Sequence, residues 1–168
     1  MRWMWIDEIT DFQPNQRMVA IKNIKADEEY LRDHFPDEQI YPASLMIEGM
    51  AQTAGILVGS VNRFKEKVVL AKVVKAIFDC EVFPGQTIRF DAQLERMEEQ
   101  GASTTGIVQR QMSADSEWET IGRIDLMFSH LDQNRAGLEF PKENFVFAEN
   151  FKAILQQSGL ANLADIDI

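Results

Sequence analysis

Cysteine is nearly absent. With Cys80 alone, the chain can close no internal disulfide and must hold its fold by packing. A reducing, cytoplasmic setting is the expectation that follows. Histidine is almost as scarce: His34 and His130 are the only two. No Cys/His group has metal-ligand spacing, so no metal site is expected. A glycine-rich phosphate loop is missing, and so is the G-x-S-x-G elbow of hydrolases. Any catalysis must then come from acid–base groups, without a cofactor. Positive charge is also short. Seventeen Lys and Arg against 27 Asp and Glu leave a net charge of −10, which excludes the cationic surface that nucleic acid requires. Long apolar runs are interrupted. The longest, from Ala43 to Val61, contains Glu48, Gln52 and Thr53, a polar load that a lipid-facing span would not carry. The opening residues reach Asp7 and Glu8 before an apolar leader could form.

What is present suffices for a core. The 168 residues are 45% hydrophobic and include 11 Phe and 8 Met, enough for one ordinary domain. Arg17 to Asn23 (RMVAIKN) forms a short strand. A polar, acidic passage from Lys25 to Arg32 then leads through a loop to His34-Phe35-Pro36. From Ser44 to about Lys65 the chain is too long for a strand and apolar on nearly every side, which predicts a buried helix. Pro42 precedes it, and Ser44 is the expected N-cap. Ala51, Gly55 and Gly59 give that helix one smooth side for close packing.

After the helix the period changes to two. Val68 to Phe78 is one strand, and Pro84-Gly85 marks a turn. Ile88, Phe90, Ala92 and Leu94 then alternate with polar residues, the pattern of a half-buried strand. Ser103 to Met112 and Trp118 to Ser129 follow across short turns and complete an antiparallel meander. One buried helix and one antiparallel sheet make an α+β protein. The sheet must curl around the helix, because no side of that helix can face water, and this is the hot-dog arrangement. The expected division is a hot-dog domain over 1–131 and an extension over 132–168 that packs on it with a flexible end. Phe145, Phe147, Phe151 and Leu155 in the extension are expected to cover the sheet or a partner subunit.

Glu48 stands out, because a carboxylate inside an apolar helix is rarely buried without a partner. Desolvation would push its carboxyl upward, toward values useful for proton donation. Gln52, one turn on, can hydrogen-bond it. A first-turn acid stabilised by the helix dipole is the plainer explanation for Glu48. A lone histidine such as His34 is by itself most often surface. His130, Cys80 and the tryptophans Trp3 and Trp5 are assigned to structure or packing.

Taken together, His34-Phe35-Pro36, Pro42, Glu48 and Ala51-Gln52 resemble the signature of the 3-hydroxyacyl-[acyl-carrier-protein] dehydratases, approximately HFPxxPxxPGxxxxExxAQ, with the histidine-to-glutamate spacing kept. Ile77 to Met97 is similar to the family's strand–turn–strand segment, and RMVAIKN to its first strand. The chain differs from the pattern at Asp33 (usually Gly), Gln39 (usually Pro) and Ala43 (usually Gly). The resemblance implies His34 and Glu48 as the acid–base pair, and a substrate site formed by Phe35, Pro42, Ala43, Ser44 and Gln52. Backbone N–H groups at the helix start would hold the thioester oxygen, and the acyl chain would lie in an apolar tunnel along the helix. It further implies an acyl carrier protein bearing a 3-hydroxyacyl chain as partner, and a homodimer or trimer of dimers in which the histidine of one subunit faces the acid of the other. Glu at position 48 resembles the branch that dehydrates without isomerising. Lys72, Lys75, Arg96 and Arg110 are the candidate docking cations. Two rivals remain: a hot-dog acyl thioesterase using Glu48 to activate water, and a non-catalytic acyl-binding hot-dog subunit.

Overall fold

The structure, a computed structural model, describes residues 4–34, 37–131, 149–160 and 162. In chain order the elements are β1 (Glu8–Gln13), β2 (Arg17–Asn23), α1 (Glu29–His34), α2 (Ala43–Val61), β3 (Lys67–Phe78), β4 (Thr87–Glu98), β5 (Gly101–Gln111), β6 (Glu119–Leu131) and α3 (Glu149–Gln157). The strands form one six-stranded sheet in the order β1-β2-β4-β5-β6-β3, antiparallel at every junction.

Period two decides what each central strand presents. Ile88, Phe90 and Ala92 of β4 are buried, as are Ala102, Thr104 and Val108 of β5 and Ile124, Leu126 and Phe128 of β6. These rows make the concave face, and α2 lies in it with Met46, Met50, Ala54, Leu57 and Val58 buried. By length and composition α2 could cross a membrane, but here it is the core helix enclosed by the sheet. The fit is closest at its start. A Cβ on Gly49 would lie 2.5 Å from Cζ of Phe90, and the end of the Met50 side chain occupies the space above Gly106. The expected smooth side at Gly55 is not the critical one, since a Cβ there would reach Phe128 at an ordinary 3.6 Å.

The helix coincides with the Ala43–Val61 apolar run and stops short of the Lys65 end expected for it. It starts at Ala43 and ends at Val61, with Asn62 as C-cap. Arg63 (φ 52) and Phe64 (φ 54) then turn left-handed, and the Phe64 N–H bonds the carbonyl of Gly59 at 2.8 Å. Each left-handed residue with a side chain costs about 1–2 kcal/mol. Burying the Phe64 ring offsets roughly 1.5–3 kcal/mol of that cost. Phe64 meets Phe151 of α3 edge-on, with ring centroids 5.0 Å apart.

The sheet's two edges differ. At β1 the Ile9 N–H donates to Oγ of Ser158 at 3.0 Å, so the segment after α3 satisfies an edge donor. At β3 the described residues include no such cover, and Leu70, Val73, Val74 and Ile77 are exposed. Residues 132–148 and 163–168, with Phe145 and Phe147, lie outside the described residues.

Candidate active site

Construction begins with Lys22. On β2, alternation from Met18 and Ala20 carries Lys22 to the core face, where its side chain is 1% exposed. A charge there requires a partner. Its Nζ lies 2.8 Å from Oε1 of Glu28 and 3.6 Å from Oδ1 of Asp7. Burial alone would raise the Glu28 carboxyl, but the Lys22 ammonium, with the Tyr30 hydroxyl and the Lys25 N–H, more than offsets this and holds it below its ordinary range. Glu28 also closes a turn, donating its N–H to Lys25 and accepting the Leu31 N–H on its carbonyl. The first turn of α1 is thereby fixed.

His34 lies at the end of α1 and is exposed. The loop expected around it is instead a short helix. An acid in its first turn, Glu29, and Arg32 in its last match the helix dipole, and Leu31 is fully buried beneath it. Phe35 and Pro36 lie outside the described residues.

Tyr30 of α1 stands edge-on to both Trp5 (5.1 Å) and Tyr41 (5.8 Å). Tyr41 is buried and donates its N–H to the carbonyl of Val82 at 2.8 Å. The next residue, Pro42, caps α2 through its extended backbone (φ −61, ψ 132), with no side-chain cap. Its carbonyl accepts from Leu45 and Met46. Ser44 is therefore inside the first turn and is not the N-cap. A proline supplies a fixed φ and a free carbonyl, which is all this start requires. Ala43 and Ser44 are exposed, and as first-turn residues their N–H groups have no carbonyl within the helix to bond.

One turn further in, Glu48 is half-buried. Gln52 Nε2 donates to Glu48 Oε1 at 3.1 Å, and the Trp5 N–H donates to Gln52 Oε1 at 2.8 Å. A backbone N–H can only donate, so it fixes which end of the Gln52 amide faces Glu48. Glu48 Oε1 is then committed as the acceptor of the Gln52 amide.

The structure thus joins Glu48 to Gln52 and sets Pro42, Ala43 and Ser44 at the same helix end, while His34 belongs to a separate short helix. The sequence reading missed Lys22, Glu28, Tyr30 and Tyr41. The signal available was a lysine in phase with Met18 and Ala20. Of the candidate docking cations, Arg110 is paired with Glu119 at 2.9 Å and Arg96 lies 3.6 Å from Glu98, while Lys72 and Lys75 are exposed on β3. A depression of about 390 Å³ lies across β4, β5 and β6, lined by Arg96, Ala102, Ser103, Met127, Phe128 and Ser129. His130 is buried, with Nδ1 3.2 Å from Oε2 of Glu66, and has a structural place.

A sheet wrapped on one central helix defines a hot-dog protein, here with a carboxylate and two first-turn backbone amides at that helix's start. Among solved structures, the chain is similar to the dehydratase heterocomplex ApeI:P from Xenorhabdus doucetiae (TM-score 0.59, 13% identity, 78% of this chain and 85% of that one). It is equally similar to a thioesterase family protein from Silicibacter pomeroyi (TM-score 0.59, 14% identity, 74% and 83%). At such identities these show the fold alone. The sequence is more specific. The FabA-like domain matches residues 2–120. The 3-hydroxyacyl-[acyl-carrier-protein] dehydratase FabZ of Clostridium tetani is 33% identical over 67% of this chain and 81% of its own length. That of Caldanaerobacter subterraneus is 32% identical over 75% and 86%, and that of Chloroflexus aggregans 38% identical over 56% and 67%. The chain belongs to the FabA-like family of 3-hydroxyacyl-[acyl-carrier-protein] dehydratases.

Proposed function

We propose that the protein removes water from (3R)-3-hydroxyacyl chains carried as thioesters on acyl carrier protein, giving trans-2-enoyl thioesters. His34 takes the proton from C2. Glu48 gives the proton on Oε2 to the C3 hydroxyl as the C3–O bond breaks, and water leaves. Negative charge gathering on the thioester oxygen is held by the N–H groups of Ala43 and Ser44, at the positive end of α2. Exchange with solvent returns the proton from His34 to Glu48. The observation that carries this reading is the chain of bonds from Trp5 through Gln52 to Glu48, which commits one carboxyl oxygen and leaves the other for the substrate.

A homodimer, alone or assembled into a trimer of dimers, is part of the proposal, with His34 of one subunit facing the acid of the other. Among the described residues β3 has no outer neighbour and exposes apolar side chains, which supports it, since an unpaired strand edge invites pairing with another copy.

The test is turnover of 3-hydroxybutyryl and 3-hydroxydecanoyl thioesters, followed at the enoyl absorbance. Wild type should turn over, and His34→Ala and Glu48→Gln should each lose about 10²-fold or more in kcat. A wild type inert on carrier-bound and coenzyme A substrates alike would overturn the proposal in favour of an acyl-binding subunit.

A further inference from the structure

We infer that Lys22 is a positioning residue for the acid–base pair: bonded to Glu28, it fixes the helix that carries His34 and the aromatic cluster that links this helix to Glu48. The inference rests on the dehydratase reading above. Lys22 touches none of the reacting groups named there and acts only through others.

Four observations converge. First, α1 has six residues, too few to hold a helical shape unaided, so its orientation is set by tertiary contacts. Second, the contact at its start is ionic, with the lysine buried. Glu28, immediately before α1, receives Lys22 Nζ at 2.8 Å, and the same Oε1 accepts the Lys25 N–H at 3.3 Å. Third, Asp7 faces the same ammonium at 3.6 Å and accepts the Asn23 N–H at 2.8 Å. The chain approaching β1 is thus tied to the same point, and Trp5 lies two residues before Asp7. Fourth, Trp5 returns to the site twice, through its ring on Tyr30 and its N–H on Gln52.

One buried ammonium therefore joins the start of α1 to the segment that holds Gln52, and Tyr30 bridges to Tyr41 beside the start of α2. A buried ion pair is weak evidence for stability, because a well-packed apolar replacement is often as stable. It does impose direction, since one Glu28 oxygen meets both Lys22 and the Lys25 N–H. A shift of about 1 Å in a catalytic group can cost on the order of 10²-fold in rate, so the register of α1 bears on turnover.

The experiment compares Lys22→Met, Glu28→Gln and Phe151→Ala with wild type in the full chain. Glu28→Gln keeps size and hydrogen bonding and serves where Lys22→Met folds poorly. Phe151 packs on Phe64, so its loss lowers stability without touching the Lys22 network. Turnover is read where circular dichroism shows each variant folded. Lys22→Met and Glu28→Gln should lose about tenfold or more in kcat, with KM within about twofold, and Phe151→Ala should keep wild-type kcat. Imidazole NMR signals supply a readout independent of turnover. With two histidines, a His130→Gln variant assigns them, and the His34 signals should move in Lys22→Met and Glu28→Gln but not in Phe151→Ala. Lower melting temperatures with unchanged kcat, or unmoved His34 signals, would overturn the inference. An inert wild type would instead overturn the dehydratase reading and leave the His34 signals to decide whether Lys22 positions α1.

Discussion

A methyl group on Gly49 would fall 2.5 Å from Cζ of Phe90 and 3.2 Å from the Trp5 carbonyl oxygen. Phe90 is buried and its ring cannot swing aside, so the helix would have to move, and Glu48 is the adjacent residue. Gly49→Ala should therefore cost about 1–3 kcal/mol of stability and reduce turnover as well. Gly55→Ala meets only an ordinary contact. It should be neutral or stabilising by up to about 1 kcal/mol, because alanine favours the helix. Urea unfolding of the two variants separates them, and equal losses would contradict the packing described here. Gly55 and Gly59 were read as close-packing positions, whereas the critical Gly49 was not, because the aromatic opposite it is not revealed by spacing. Glu48 and Gln52 were legible as a pair because i, i+4 neighbours share a helix face. Lys22 was not, because its partners are supplied by the segments on either side of β2.

At the scale of elements, strong periodicity marked what could be read. β4 alternates over most of its length, and α2 is apolar over several turns. β1 escaped because a bulge between Ile9 and Asp11 breaks its alternation, leaving Ile9 and Phe12 against the core three positions apart. α1 escaped because six acid-rich residues with one fully buried side chain, Leu31, show no helical period. α2 ends early because Arg63 and Phe64 reverse the chain, a turn held by tertiary packing without a glycine to signal it. That packing gives a test. Phe151→Ala should lower stability by about 3 kcal/mol in guanidinium, since Phe151 is buried against the Phe64 ring. An unchanged midpoint would mean that α3 does not seat on the domain.

At the scale of the whole molecule, the two sheet edges differ in a way composition does not show. The β1 edge meets Ser158, whereas β3 leaves Val74 51% and Ile77 48% exposed. Sedimentation should show a dimer or a multiple of it. Val74→Asp with Ile77→Asp should shift the protein toward monomer and abolish turnover, because the proposed site takes its histidine and its acid from different subunits. A fully active monomer would contradict the shared site. The fold class was legible because one long apolar helix and an antiparallel meander admit few arrangements. The reaction was legible only where His34 and Glu48 were taken together with the residues between them. Hot-dog neighbours include thioesterases as well as a dehydratase, so the most direct test of the central claim is the mass of the carrier-bound product. After incubation with a (3R)-3-hydroxyacyl carrier protein, the acyl group should remain attached and be lighter by one water. Bare carrier and free hydroxy acid would instead mean hydrolysis, and the dehydratase assignment would fall.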